Sequence, residues 1–158
     1  MSTVTTDIEV VSPFPIEMIF HVFSDFDTVA PKVNPQVFKS IETLEGDGGV
    51  GTIKLFTFGD DVPFASGKYK IDAIDVSNFS FSVKFFEGDI LMDIMESITH
   101  HVKILPSADA GSVFMQTIVY NCKGNDKPSK EALNFEKEIY EKPYKALEAY
   151  AIAHPETY

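Results

Sequence analysis

The segment of this chain with the clearest chemical signature is rich in glycine and satisfies the pattern G-x-G-x-x-G. It consists of Gly46, Asp47, Gly48, Gly49, Val50 and Gly51. In a dinucleotide-binding fold that pattern opens a helix whose N-terminus faces the pyrophosphate. The residues that follow, 52–58, are instead rich in residues that favour β-strands. We therefore expect a rigid hairpin loop here and no cofactor.

A second candidate for chemistry is His100, one of four histidines. Apolar alternation over residues 94–105 places His100 on an inward face with Glu96 and Ile98, and His101 on the solvent face. An inward histidine is a core residue satisfied by a neighbour, a hydrogen-bonding contact for a ligand, or a group that takes part in acid–base chemistry. The histidines show no metal-ligand spacing with acidic residues, and no activated acid–base pair can be identified. We expect no metal and no catalytic residue.

Composition and charge exclude several classes of protein. The chain has 158 residues, 44% of them apolar, with 14 phenylalanines and no tryptophan. This is the composition of a single globular domain, residues 1–158.

A formal charge of −11 disfavours nucleic acids and anionic membrane surfaces as partners. Cys122 is the only cysteine, which excludes an internal disulfide and a zinc site built from cysteines.

Targeting and membrane signals are not evident in the sequence. The amino terminus lacks a basic region followed by an apolar core, and no run of about 18 apolar residues occurs anywhere. We therefore expect a cytoplasmic protein without membrane insertion. We also expect a monomer.

The elements that must position these residues follow from hydrophobic periodicity. Residues 3–10 alternate with period two and predict a strand, and residues 16–23 have helical spacing after two prolines. A second short helix and about six consecutive strands, joined by short turns, follow up to Cys122. Residues 129–154 predict a long helix, which Pro143 should bend or break. The expected fold is α+β, with a curved antiparallel sheet around a long helix and a cavity between them.

Residues 45–54 closely resemble the glycine-loop signature of the birch-pollen-allergen family, the plant pathogenesis-related proteins of class ten. The resemblance extends over essentially the whole chain and includes residues 31–33, 85–89, Tyr120, Lys123, Gly124, 147–150 and 153–155. It implies a seven-stranded antiparallel sheet, two short helices in a V and a long C-terminal helix over a large hydrophobic cavity, the helix-grip arrangement. It also implies that the cavity takes amphipathic plant metabolites such as cytokinins, flavonoids, sterols or alkaloids.

The family layout orients the strand over residues 112–122 so that Gln116 and Tyr120 face the cavity. Alternation alone leaves this strand ambiguous, because both of its faces are apolar. Together with His100, these two residues are expected to orient a ligand. The remaining predicted ligand-binding residues are Phe23, Phe38, Phe56, Phe58, Phe64, Phe81, Val83, Ile98, Phe135, Ile139, Tyr140 and Pro143. For each phenylalanine, ordinary core packing is the alternative.

The leading hypothesis is a carrier or store of hydrophobic plant metabolites. The runner-up is an enzyme of plant specialised metabolism that uses the same cavity, with His100 as a proton shuttle. A third hypothesis is a defence or storage protein whose effects, including allergenicity, arise from its surface. Some family members are credited with ribonuclease activity, and the residues invoked there correspond to Lys54, Glu96, Glu148 and Tyr150. Another branch resembles norcoclaurine synthase, but its catalytic lysine corresponds to Phe81 here, so we do not expect that reaction.

Overall fold

The computed structural model describes residues 2–158, which form seven strands, three α-helices and two single-turn 3₁₀ helices, Val76–Asn78 and Asp89–Leu91. In chain order the strands and α-helices are β1 (Ser2–Ser12), α1 (Ile16–Ser24), α2 (Phe26–Val33), β2 (Phe38–Glu45), β3 (Ile53–Phe58), β4 (Ser66–Asp75), β5 (Ser80–Glu87), β6 (Met95–Pro106), β7 (Ser112–Cys122) and α3 (Lys130–Ala153). The predicted order of one strand, two short helices, six strands and a long helix is confirmed.

The seven strands form one antiparallel sheet in the order β1-β7-β6-β5-β4-β3-β2. Consecutive strands from β2 to β7 are neighbours because short connections favour antiparallel pairing. The exception is β1, which pairs along its length with β7, from Ser2 opposite Cys122 to Ser12 opposite Ser112. The two short helices therefore connect the two edge strands of the sheet, β1 and β2.

The prediction for the start of β6 was wrong in one respect. Met95 is 1% exposed and Glu96 is exposed, whereas the alternation predicted Glu96 on the inward face. The pairing with β7 shifts by one residue between Met95 and Ser97, which is a β-bulge. A bulge adds one residue to one strand and reverses which side chains face inward. Beyond the bulge His100 is buried and His101 is exposed, as predicted.

Helix α3 runs over 24 residues as one element. Ser129 caps it, because the backbone N–H of Ala132 donates to the Ser129 side chain over 3.0 Å. Pro143 does not break the helix, although its missing N–H leaves the Ile139 carbonyl without its usual partner in the helix. Pro143 and Tyr144 are both buried in the face that packs into the molecule, and this packing offsets the cost of the proline. Within residues 2–158, no helix is both long and apolar enough to cross a membrane.

Candidate functional site

A cavity of about 110 Å³ lies between the inner face of the sheet and the helices. Its wall is aromatic and aliphatic, with a small number of polar side chains, as is usual for sites that take small molecules. The lining residues are Phe23, Phe26, Phe38, Phe56, Tyr69, Phe81, Val83, Phe85, His100, Val102, Phe114, Gln116, Tyr140, Pro143 and Tyr144.

The structure brings nine of the predicted residues to this wall and places six elsewhere. The nine are Phe23, Phe38, Phe56, Phe81, Val83, His100, Gln116, Tyr140 and Pro143. The six that pack beside the cavity rather than on its wall are Phe58, Phe64, Ile98, Tyr120, Phe135 and Ile139. Phe58 illustrates the reason, because its ring packs edge-on against Phe64 with the centroids 5.0 Å apart. Sequence alternation identifies an inward face but not which inward side chains reach the open space.

Sequence reasoning missed six residues of the wall: Phe26, Tyr69, Phe85, Val102, Phe114 and Tyr144. Two of them could have been found by alternation. Val102 lies two residues after His100 on β6, and Phe114 lies two residues before Gln116 on β7, so each shares its neighbour's face. Tyr69 and Phe85 meet because they are opposite one another in the pairing of β4 with β5, which only the register reveals.

The most polar part of the wall is a buried pair on neighbouring strands. The Gln116 amide nitrogen donates a hydrogen bond of 2.8 Å to Nδ1 of His100. Burial, with a smaller contribution from His101, lowers the pKa of His100 to about 3, so the ring is neutral at physiological pH. Because Nδ1 accepts, the single ring proton lies on Nε2. That nitrogen is buried and has no hydrogen-bond partner among residues 2–158.

Tyr140 faces this pair from helix α3. Its ring stands edge-on to the His100 ring, with the centroids 4.8 Å apart and the planes at 70°. The hydroxyl is buried and finds no partner within the described part of the chain. Burial, reinforced by the nearby Glu136, raises the pKa of Tyr140 well above its ordinary value, so the phenol keeps its proton. Two unpaired polar atoms, His100 Nε2 and the Tyr140 hydroxyl oxygen, thus belong to neighbouring rings of the cavity wall.

One turn before Tyr140, α3 carries a buried carboxyl group that the sequence analysis did not single out. Glu136 is 1% exposed, and one of its oxygens accepts a hydrogen bond of 2.6 Å from the Tyr120 hydroxyl. Its other oxygen has no partner in residues 2–158. Burial raises the pKa of Glu136 to about 7, although the Tyr120 hydrogen bond acts in the opposite direction. The sequence contained a clue to this, because Glu136 lies three residues before Ile139 and four before Tyr140, so it shares their helical face.

A second recess, of about 170 Å³, continues from the cavity towards the glycine-rich loop. The two share Phe23, Phe26, Tyr69, Phe81 and Val83, while the recess also reaches polar residues near the surface. Its polar part contains an ion pair in which the Lys54 ammonium lies 2.6 Å from the Asp27 carboxylate. Lys54 therefore links β3 to α2 beside the recess.

The glycine-rich segment is a hairpin loop between β2 and β3, and no helix follows it. Gly46 has φ +96°, and a Cβ there would lie 2.6 Å from the Thr52 hydroxyl oxygen. That hydroxyl accepts a 2.9 Å hydrogen bond from the Gly48 backbone, and the Gly51 N–H donates to the Ile71 carbonyl over 2.8 Å. The loop is therefore held by its own turns and by β4.

The four residues associated with ribonuclease activity in the family lie on three separate elements. Lys54 is on β3 and Glu96 is at the exposed start of β6, with two strands between them. At about 4.8 Å per strand this separates their backbones by about 14 Å. Glu148 and Tyr150 lie on α3, where the Tyr150 ring stacks on His154 at 4.0 Å. Across residues 2–158, no group of three or more acidic, histidine or cysteine side chains could hold a metal ion.

A curved antiparallel sheet that grips a long C-terminal helix over an internal cavity defines a helix-grip protein. The chain belongs to the pathogenesis-related protein Bet v 1 family, whose family model matches residues 1–154. This confirms the resemblance seen in the sequence.

Individual members of the family are similar to this chain over almost its whole length. A root allergen protein of Taraxacum officinale is 54% identical, with 95% of this chain and 96% of the relative covered. Ribonuclease 2 of Panax ginseng is 44% identical, with 94% and 97% covered. The crystal structure of Ara h 8.0201 superposes with a TM-score of 0.84 at 29% identity, covering 96% of this chain and 99% of that one.

Proposed function

We propose that the protein binds a small hydrophobic or amphipathic plant metabolite in its cavity, as an intracellular carrier or store. The observation that supports this is the cavity wall itself, which is largely apolar and includes buried polar atoms, among them His100 Nε2 and the Tyr140 hydroxyl, that have no partner among residues 2–158. Buried polar groups are normally hydrogen-bonded, and a ligand with matching polar atoms would satisfy them. We propose a cytoplasmic location and a monomeric state.

Apolar burial would supply most of the affinity. A flat ligand that buries about 200 Å² of apolar surface gains about 5 kcal/mol, at about 25 cal/mol per Å². The polar groups of the wall would add little net energy but would fix the ligand's orientation. His100 and Gln116 from the sheet and Tyr140 from α3 are the residues we assign to this orienting role.

The test is to incubate the protein with a fractionated plant extract and identify retained small molecules by native mass spectrometry. We expect a compound that is recovered unchanged. Val83→Phe should abolish this retention, because it adds a ring at the cavity wall. Met115→Phe, which adds a ring at a position of β7 that is 39% exposed, is the matched control and should retain the compound. Equal retention by both variants would refute the proposal.

The alternative is a cavity enzyme, and Glu136 is the observation that favours it. A buried carboxyl group whose pKa lies near 7, hydrogen-bonded to a tyrosine, has the character of a general acid or base. Glu136 does not line the cavity, however, and that makes binding without turnover the better supported function. Recovery of a chemically altered compound, only when the protein is present, would reverse this order.

A further inference from the structure

Helix α3 is held in the molecule by apolar contacts along its second half. Tyr144, Leu147 and Ala151 are at most 1% exposed and pack against the sheet and the two short helices. Just beyond the helix, the Tyr158 hydroxyl donates a 2.6 Å hydrogen bond to Asp25, which lies between α1 and α2. Because apolar burial does not depend on protonation, this half should stay in place over a wide range of pH.

The first half of α3, residues 130–142, depends instead on a polar contact. Glu136 is 1% exposed and is buried more deeply than Ile139, which is 5% exposed. Within residues 2–158, the hydrogen bond from Tyr120 to Glu136 is the one side-chain hydrogen bond that joins this half to the sheet, and neither ion pair involves α3. We call this hydrogen bond the latch.

Pro143 separates the two halves of the helix. Its missing N–H leaves the Ile139 carbonyl without its helical hydrogen bond, so the helix bends most easily at this point. Tyr140, in the first half, and Pro143 itself both line the cavity. A movement of residues 130–142 about Pro143 would therefore uncover the cavity on the side of Tyr140.

The surroundings of Glu136 on α3 and on the sheet offer no cation. The positions three and four residues away on α3 hold Ala132, Leu133, Ile139 and Tyr140, and Lys137 points about 100° away around the helix. Two titratable groups act on the carboxyl group, the hydroxyls of Tyr120 and Tyr140, and burial raises the pKa of each, so both stay neutral. The sheet residues of the core against which this half packs are apolar: Ile8, Met95, Ile98 and Ile118.

The titratable groups of α1 and α2 do not balance Glu136 either. They are exposed or engaged elsewhere: Glu17 is exposed, His21 packs on Tyr158, Asp27 pairs with Lys54, and Lys32 lies over the Tyr150 ring. Ionised Glu136 would thus be a buried charge without a counter-ion among the residues described. Such a charge is strongly unfavourable until water reaches it.

We propose that residues 130–142 form a pH-sensitive lid over the cavity, which the latch holds closed while Glu136 is protonated and which opens about Pro143 when Glu136 ionises. The lid follows from the contacts of the protein alone, and its role in admitting a ligand rests on the proposed function. Opening brings water to the carboxylate while the second half of α3 stays packed. Burial raises the pKa of Glu136 to about 7, so opening becomes more frequent as the pH rises through 7.

The test is backbone hydrogen–deuterium exchange of the ligand-free protein between pH 5 and pH 8, expressed as protection relative to the intrinsic exchange rate at each pH. The carboxyl group has a pKa of about 7 when the lid is closed, and its ordinary value is 4.5. We therefore expect the protection of residues 130–142 to fall about seventyfold from pH 5 to pH 8. The protection of residues 145–153 should change little.

Two variants act on the latch in different ways. Glu136→Gln keeps an acceptor for Tyr120 but cannot ionise, so protection of the lid should no longer depend on pH. Tyr120→Phe removes the donor and keeps the ring, and it should lower protection of the lid about fivefold at pH 5, where the wild-type lid is closed. Glu138→Gln, at an exposed position of the same helix, is the matched control and should behave as wild type.

Three results would overturn the lid. The first is wild-type protection of residues 130–142 that does not change with pH, and the second is the same pH dependence in Glu136→Gln as in wild type. The third is an equal loss of protection in both halves of α3, because the helix would then open as a whole and not about Pro143. If Glu136→Gln does not fold, the contrast between the two halves in the wild type still decides the question.

The lid and the proposed function fail separately. Exchange is measured without a ligand, so a confirmed lid together with no compound retained from the plant extract would refute the proposed function alone. A retained compound should dissociate faster at pH 8 than at pH 5 from wild type, and at equal rates from Glu136→Gln. Equal rates from wild type would leave cavity binding intact and overturn the role of the lid.

Discussion

Replacing Glu136 with glutamine should change how the stability of the protein depends on pH. The carboxyl group is buried against the sheet, and one oxygen accepts from Tyr120. Glutamine keeps an oxygen that can accept this hydrogen bond but cannot ionise. The variant therefore isolates the cost of holding a charge at this place in the core.

The expected magnitude follows from the pKa in the two states. The pKa of Glu136 is raised from an ordinary value of 4.5 to about 7 in the folded protein. Because the folded value is the higher one, the carboxyl's contribution to stability is fully present below pH 4.5 and is lost as the pH rises through 7. At about 1.4 kcal/mol for each pKa unit, the total loss is about 3 kcal/mol, and about 2.5 kcal/mol of it falls between pH 5 and pH 8.

The assay is urea unfolding of wild type and Glu136→Gln at several pH values from 5 to 8. Other groups that titrate in this range, His100 among them, affect both proteins and largely cancel in the difference. We expect the stability of the variant relative to wild type to rise by about 2.5 kcal/mol from pH 5 to pH 8. Glu138→Gln makes the same change at an exposed position of the same helix and is the matched control.

A difference between wild type and Glu136→Gln that stays constant from pH 5 to pH 8 would refute this reasoning. It would mean that the carboxyl group ionises in the folded protein as easily as in the unfolded chain. The buried placement of Glu136 against Tyr120 would then be wrong, or water would reach the carboxylate.

Three further predictions concern other parts of the molecule. Gly46→Ala should destabilise the protein by about 2 kcal/mol, because its Cβ would lie 2.6 Å from the Thr52 hydroxyl oxygen and the residue has φ +96°. Gly48→Ala, with φ +101° but no atom within 4 Å of its Cβ, should cost only about 1 kcal/mol, and equal losses in urea unfolding would contradict the loop geometry. Burial lowers the pKa of His100 from 6.5 to about 3, so its contribution is present above pH 6.5 and is lost as the pH falls towards 3. In the Glu136→Gln variant, the free energy of unfolding should fall by about 2 kcal/mol when the pH is lowered from 7 to 5. A free energy of unfolding that does not change over this pH range would contradict a buried, neutral His100 ring. Phe56→Ala should cost about 4 kcal/mol, because the ring is 4% exposed and packs against five other aromatic rings, and thermal unfolding measures the loss.

Local features of the chain were sufficient to predict the order of the elements. The limits of α3 follow from the Ser129 cap and from a continuous apolar face, which are properties of neighbouring residues. The glycine-rich loop was recognisable as a hairpin because the residues after it favour a strand, and the structure places β3 there. The antiparallel sheet followed from connections too short for crossovers.

The candidate site depended on contacts between residues that are distant in the chain. The β-bulge at Met95 turns the Glu96 side chain to the solvent side of the sheet, and this bulge is visible only in the pairing of β6 with β7. The proton position on His100 is set by Gln116, which lies on the neighbouring strand. Glu136 acquires its raised pKa because the packing of α3 into the molecule buries the carboxyl group, and the hydrogen bond from Tyr120 only partly opposes this effect. Periodicity identifies which face of an element turns inward. The tertiary packing of the sheet against the helices decides which inward groups meet and which are left without a hydrogen-bond partner.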